Sequence, residues 1–122
     1  MEIEKIKYDF SICKLESLDS IDLSREFFFI SKTDDEISLV CKTDDVPSCV
    51  TRVESGYKAF RFKGVLDFSL VGILSKVSSI LADNGISIFA LSTYNTDYVL
   101  VKSINYDLAL SILKSAGYTI VD

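Results

Sequence analysis

Apolar and polar positions repeat with two different periods in the second half of the chain, and the change of period separates a strand from a helix. Residues 57–63 alternate aromatic or apolar side chains with cationic ones from Lys58 onward, as in a strand with one solvated face. Residues 68–84 carry apolar side chains at helical spacing. The pattern therefore predicts a strand that ends at Gly64, and then a helix capped by Asp67 or Ser69 and ended by Gly85.

Two apolar runs follow the predicted helix. Residues 86–92 are almost continuously apolar, which predicts a buried central strand, and residues 98–102 predict a second strand rich in Val and Leu. The polar residues 93–97 between them predict a tight connection between antiparallel partners.

A second helix and a last strand complete the order of elements. Asn105 is a suitable cap for a helix to about Ala116, whose predicted apolar face is Leu108, Ala109, Ile112, Leu113 and Ala116. Gly117 ends this helix before a strand at residues 118–121. The order β-α-β-β-α-β predicts a ferredoxin-like α+β unit, with two helices on one face of a four-stranded antiparallel sheet.

The first half of the chain reads as mostly β. Residues 5–15, 25–32 and 36–42 predict three strands, with a hairpin turn at residues 33–35 and a loop around Pro47. The aromatic residues 27–29 are expected in a strand that needs cover on both faces, from core or interface. We therefore expect a reduced β-rich companion at residues 1–52 and the α+β domain at residues 53–122.

Composition argues against several classes of function. The net charge of −5 opposes binding to nucleic acid or to an anionic membrane surface. Residues 1–9 are charged and do not resemble a secretory signal, and no apolar stretch is long enough to span a bilayer, so a cytoplasmic location is expected. The chain has no His, no nucleophile-elbow motif and no phosphate-binding glycine loop, so we expect no catalysis, no cofactor and no metal.

The three cysteines, Cys13, Cys41 and Cys49, are widely spaced and form no C-x-x-C pair. Each lies in or beside apolar sequence, which favours core packing over redox or metal chemistry.

Two segments carry the candidate binding chemistry, and both fall at the same end of the predicted sheet. The first segment, residues 64–72, leads into a helix whose free amide groups and dipole suit a carboxylate, and Gly72 has no side chain to block the approach. The second segment, residues 92–97, offers hydroxyls, carbonyls and the carboxylate of Asp97, which suit an ammonium group. Together the two segments predict a site for a zwitterion.

The same residues carry a resemblance to a known family. The strings G-V-L-D-F-S-L-V-G-I-L at residues 64–74 and N-G-I-S-I-F-A-L-S-T-Y-N-T-D-Y-V-L-V-K at residues 84–102 resemble the ACT domains of the CASTOR type. That group includes small bacterial paired-ACT proteins and the eukaryotic cytosolic arginine sensors. The resemblance covers residues 53–121, whereas the first half resembles the short partner ACT-like unit only in length and placement.

The resemblance implies a regulatory module that binds an amino acid where two ACT units meet, in a homodimer. It implicates Asp67, Leu70, Val71, Gly72 and Ile73 in the first segment, and Thr93, Tyr94 and Asp97 in the second, with Asp97 foremost. The arginine sensors carry an acidic residue where this chain has Leu70, so a smaller or neutral amino acid suits the site as well as arginine does.

Each of these residues also has a structural interpretation. Asp97 can be an ordinary turn residue, Tyr94 can cover the end of the sheet, and Gly72 can serve close packing between helix and strand instead of ligand access. The alternative function is correspondingly an ACT module for assembly or protein-partner binding, without a ligand. A ferredoxin-like enzyme or an RNA-binding domain is less compatible with the missing histidines and the acidic charge.

Overall fold

The computed structural model describes residues 1–67 and 69–122. The chain divides into two compact units, of which the C-terminal unit comprises Met1–Lys7 with Lys58–Asp122 and the N-terminal unit comprises Tyr8–Tyr57. The boundaries fall inside two long strands, β1 (Glu2–Leu15) and β4 (Val50–Phe62), so each of these strands contributes residues to both units. The division of the chain into domains at residues 1–52 and 53–122 stays a prediction.

The C-terminal unit has the predicted βαββαβ order. After β4 come α1 (Ile73–Asp83), β5 (Phe89–Ser92), β6 (Asp97–Lys102), α2 (Ser103–Ser115) and β7 (Thr119–Val121). The ferredoxin-like α+β fold is thereby confirmed. Within the described residues its sheet has the order β7-β1-β4-β6-β5, and β1 pairs in parallel with β7. The start of β1, which extends back to Glu2 and not only to the predicted residue 5, thus adds a fifth strand to the predicted four.

One hydrophobic core lies between this sheet and the two helices. Phe60 and Phe62 of β4 and Val99 and Val101 of β6 are fully buried, as expected for alternate residues on the covered face of a sheet. The helices contribute their buried residues to the same cluster, namely Val77 and Leu81 from α1 and Tyr106, Ala109, Leu110 and Leu113 from α2.

The apolar face of α2 differs from the predicted one. Leu108 and Ala116 are exposed, and Tyr106 and Leu110 are buried in their place. The helix turns its Tyr106 side inward because the Tyr106 hydroxyl donates a hydrogen bond of 2.6 Å to the buried carbonyl of Ala59. The predicted cap at Asn105 is also wrong, since α2 begins at Ser103 and has no side-chain cap.

Both helices end at glycine, as predicted. Gly85 and Gly117 have φ angles of 72° and 106°, in the left-handed region that favours glycine. Ile86 N–H bonds to the carbonyl of Leu81, and Gly85 N–H bonds to that of Ala82, which is the Schellman pattern of hydrogen bonds. Gly117 and Tyr118 repeat it at the end of α2.

The start of α1 corrects the prediction of a helix from residue 68. The helix begins at Ile73, and its N-cap is Gly72, whose φ of 76° is incompatible with a helix that continues from earlier residues. Neither Asp67 nor Ser69 caps it: the Asp67 carboxylate accepts a hydrogen bond of 2.8 Å from Ser69 N–H in a separate turn. Phe68 lies outside the described residues.

Residues 86–92 are not a buried central strand. Strand β5 begins only at Phe89, lies at the edge of the sheet, and alternates half-buried with exposed residues. The apolar run is longer than the strand because Ile86, at the turn after α1, is buried in the core outside any strand. The buried strand is β6, where Val99, Leu100 and Val101 are inaccessible to solvent.

The N-terminal unit contains β2 (Phe29–Lys32), β3 (Ile37–Lys42), a short 3₁₀ helix (Thr43–Asp45), and parts of β1 and β4. β3 pairs antiparallel with both β1 and β2. The predicted hairpin turn is confirmed, with Thr33 N–H bonded to the carbonyl of Glu36 at 3.0 Å. The predicted start of β2 at residue 25 is wrong, because Phe27 has a φ of 55° and precedes the strand.

The cysteines lie where core packing was expected. Cys13 and Cys41 are buried with Leu15 and Leu39, and Cys49 is half-buried against this cluster. Burial raises the pKa of the Cys41 thiol to about 12, and it raises the pKa of Cys13 as well. Both thiols are therefore protonated at neutral pH and chemically unreactive.

Neither helix in residues 1–67 and 69–122 has the length and apolar character needed to cross a bilayer.

Candidate ligand-binding site

The described residues of the first segment, 64–67 and 69–72, lie between β4 and α1. Gly64 and Gly72 have φ angles of 89° and 76°, so the chain turns at both ends of the segment. Between them, Leu70 N–H bonds to the carbonyl of Asp67 at 3.0 Å. This turn directs the chain to the first amide groups of α1, which have no partner within the helix.

The second segment is the hairpin between β5 and β6. Ser92 and Asp97 are cross-strand partners, and the Ser92 hydroxyl donates a hydrogen bond of 2.6 Å to the Asp97 carboxylate. The loop closes through Thr93 N–H, which bonds to the carbonyl of Thr96 at 2.9 Å. The hairpin thus holds the Asp97 carboxylate at the start of β6, where Asp97 is half-buried.

One hydrogen bond connects these segments directly, and a second connects the hairpin to the end of β4. Leu66 N–H donates to the carbonyl of Asn95 at 2.7 Å, and the buried hydroxyl of Thr96 donates to the carbonyl of Phe62 at 2.9 Å. Thr96 is 8% exposed, so its hydroxyl has little access to water in exchange for this bond. A backbone hydrogen bond therefore joins the two segments, and Thr96 anchors the hairpin to β4.

A cleft of about 360 Å³ lies between the segments. All the predicted site residues line it except Val71, namely Asp67, Leu70, Gly72, Ile73, Thr93, Tyr94 and Asp97. Residues that the sequence analysis did not select also line it: Leu66, Leu74, Ser75, Ser92, Asn95 and Thr96. Ser92 could have been predicted as a site residue from the sequence. A four-residue loop at residues 93–96 makes residues 92 and 97 direct neighbours across the hairpin.

The cleft is electrostatically negative. Asp67 and Asp97 line it, and no described lining residue carries a positive charge. Hydrogen bonds from the backbone and side chain of Ser69 lower the pKa of the Asp67 carboxyl, so Asp67 is ionised at neutral pH. Asp67 therefore supplies a second carboxylate, although Leu70 stands where the resemblance leads one to expect an acid.

The structure shows a reason for glycine at position 72 that differs from both interpretations. A methyl group added at Gly72 would meet no atom of the described residues within 4 Å, so packing among them does not require glycine there. The left-handed backbone requires it, and the open space in front of it belongs to the cleft.

Apolar side chains surround the mouth of the cleft. Tyr94 and Leu70, which line the cleft, are 79% and 51% exposed, and Val71 next to Leu70 in the chain is 89% exposed. Tyr94 therefore does not cover the end of the sheet as core, which corrects that interpretation. Exposed apolar groups around a polar cleft are typical of surfaces that become covered by a ligand or a partner.

Comparisons with known proteins agree with the fold. The family model of the ACT domain matches residues 52–115, and a model of an N-terminal domain from a second family matches residues 8–49. A search of curated proteins found no match.

Solved structures share the fold over nearly the whole chain. A protein from Agobacterium tumefaciens is 33% identical with a TM-score of 0.85, covering 98% of this chain and 91% of that one. A protein of unknown function from Vibrio cholerae is 19% identical with a TM-score of 0.72, covering 92% and 86%. The regulatory subunit of aspartate kinase from Thermus thermophilus is 10% identical with a TM-score of 0.66, covering 96% and 97%. The last two indicate the fold alone.

The βαββαβ unit, with a cleft between its first loop and its hairpin, defines a ferredoxin-like domain that has room for a small ligand. More particularly, the chain belongs to the ACT domain family, whose model matches more than half of its residues.

Proposed function

We propose that this chain is a non-catalytic regulatory module that binds an amino acid in the cleft between the two segments. The observation that carries the proposal is that seven residues selected from the sequence, including Asp67, Gly72 and Asp97, line one cleft. Its volume of about 360 Å³ lies in the range of small-molecule sites. The ACT family membership and the likeness to an aspartate kinase regulatory subunit support a regulatory role.

The charges of the cleft define the kind of amino acid that suits it. Two carboxylates and no described cation disfavour a ligand whose side chain is negatively charged. Asp97, fixed by Ser92, is the proposed partner of the ligand's ammonium group, and the open backbone at Gly72 is the proposed neighbour of its carboxylate. Neutral and cationic amino acids are the ligands that satisfy both ends.

The proposal also includes the type of ACT domain, the location of the protein and its oligomeric state. The CASTOR-type character rests on the strings at residues 64–74 and 84–102. We infer a cytoplasmic homodimer in which a second copy covers the apolar mouth formed by Leu70 and Tyr94, since their exposure suits a covered surface.

A thermal-shift screen with the twenty L-amino acids tests the proposal. A ligand present at a hundred times its dissociation constant stabilises the folded state by about 2.7 kcal/mol. The Asp97→Asn variant should lose most of this stabilisation while remaining folded, and Asp34→Asn, in the exposed hairpin of the N-terminal unit, should keep it. An equal ligand-induced shift in the Asp97→Asn variant and the original protein contradicts the role of Asp97.

The exposed apolar mouth also favours a second candidate function, an ACT module that mediates assembly without a ligand. The same screen separates the two. A complete lack of response to all twenty amino acids, together with concentration-dependent dimerisation in analytical ultracentrifugation, favours assembly alone.

A further inference from the structure

A second cleft adjoins the first at the beginning of α1. Its volume is about 250 Å³, and its walls include Val71, Lys76 and Tyr118. Gly72 and Ile73 line both clefts, so the two clefts are neighbours at the first turn of α1. A side-chain methyl at Gly72 would meet no atom of the described residues within 4 Å, so these residues leave the space at the junction open.

The two clefts carry opposite charges. Asp67 and Asp97 line the first cleft, whereas Lys76 is the charged side chain among the described residues of the second. The Lys76 ammonium lies 5.9 Å from the centre of the Tyr118 ring, and none of the salt bridges of the described residues includes it. Its charge is therefore available to an anionic group in the cleft.

Helical geometry produces this separation of charge. Lys76 follows Gly72 by four residues, and its N–H bonds to the carbonyl of Gly72 at 2.9 Å, so both residues lie on the same side of α1. The preceding residue, Ser75, is rotated by about 100° and lines the first cleft instead. The flexible stem of lysine allows its ammonium to move from the Tyr118 ring to a group above Gly72.

We propose that the two clefts form one polarised site, in which Lys76 binds the carboxylate of an amino acid while Asp67 and Asp97 bind its ammonium group. The inference rests on the proposed function and adds to it a specificity-determining residue and an orientation of the ligand. Lys76 makes the site select the free carboxylate. A ligand that keeps the ammonium group but lacks the carboxylate should therefore bind less well.

Calorimetric titration tests this with the twenty L-amino acids and their carboxamides, in which a neutral amide replaces the carboxylate. For the amino acids that bind, the original protein should prefer the acid to its amide by about tenfold, because a hydrogen bond between two charged groups is lost with the amide. The Lys76→Gln variant should bind both forms with nearly equal affinity. Lys114→Gln removes the same charge from the last turn of α2, where it lines neither cleft, and should keep the tenfold preference.

The outcomes separate this inference from the proposed function. If amino acids bind and the preference for the acid is the same in Lys76→Gln, the role of Lys76 is refuted while amino-acid binding stands. If no amino acid binds the original protein, the proposed function is overturned, and the polarised site with it. Loss of the preference in Lys76→Gln alone supports the inference, since a general loss of stability would weaken acid and amide binding alike.

Discussion

Gly72 and Gly85 stand at the two ends of α1 and provide a matched pair of substitutions. Their φ angles are 76° and 72°, and a methyl group added at either would meet no atom of residues 1–67 and 69–122 within 4 Å. The two alanine variants therefore impose the same backbone strain without a steric clash. Only Gly72 lines the clefts, so only its methyl group would enter the space assigned to a ligand.

The cost of each substitution follows from the backbone. A left-handed conformation costs an L-residue roughly 1–2 kcal/mol, and the reduced freedom of the unfolded chain offsets about 0.4–1 kcal/mol of that. Gly72→Ala and Gly85→Ala should each lower the free energy of unfolding by about 1 kcal/mol, which corresponds to about 4 °C in Tm. In Gly72→Ala, overpacking against a bound ligand should add at least about a tenfold increase in Kd.

Urea unfolding followed by circular dichroism measures the stability of both variants, and calorimetric titration measures their affinity for the amino acid that stabilises the protein most. Equal affinity in the two alanine variants would refute the placement of a ligand over Gly72. Gly85 lines neither cleft, so Gly85→Ala tests the backbone strain alone. An unchanged free energy of unfolding in this variant would refute the argument that the left-handed backbone requires glycine.

Three further predictions concern stability and reactivity. Thr96→Val should lower the free energy of unfolding by about 1–2 kcal/mol in urea titrations, because the carbonyl of Phe62 loses its donor, and Thr96→Ser should restore most of it. Burial raises the pKa of Tyr106 from 10.0 to about 12. The neutral hydroxyl therefore contributes fully to the free energy of unfolding below pH 10, and this contribution is lost as the pH rises towards 12. The urea midpoint, measured at pH 8, 10 and 11, should therefore fall less steeply with rising pH in Tyr106→Phe than in the original protein. An equal dependence on pH in the two proteins would contradict this. Iodoacetamide at pH 8 should modify Cys49 before Cys13 and Cys41 in the folded protein, as read by mass spectrometry; early modification of Cys41 would contradict its burial.

Most of the fold of the C-terminal unit could be predicted from local sequence patterns. The order of strands and helices in the C-terminal unit follows from periodicity, and Gly85 and Gly117 end their helices where the sequence predicts, because the left-handed conformation is a property of glycine itself. The hairpin at residues 33–36 is equally local, since Thr33 satisfies the turn with its own backbone and hydroxyl.

Element boundaries were less predictable where apolar residues serve more than one element. Ile86 packs in the core at the end of α1 and does not belong to β5. The apolar run therefore predicted a longer strand than the structure has. Leu70 has the correct helical spacing but lies before the helix and is half-exposed at the cleft. The spacing of apolar residues predicts that a side chain is buried, but it does not predict which residues pack against it.

The sequence by itself determined the βαββαβ order, the resemblance to ACT domains and the two segments that form the first cleft, because these depend on residues close together in the chain. Only the tertiary structure inserted the start of β1 between β4 and β7 and placed Lys76 and Tyr118 around a second cleft. These arrangements join residues separated by tens of positions, and their distances depend on how the helices pack on the sheet. No local pattern of apolar and polar residues encodes that packing.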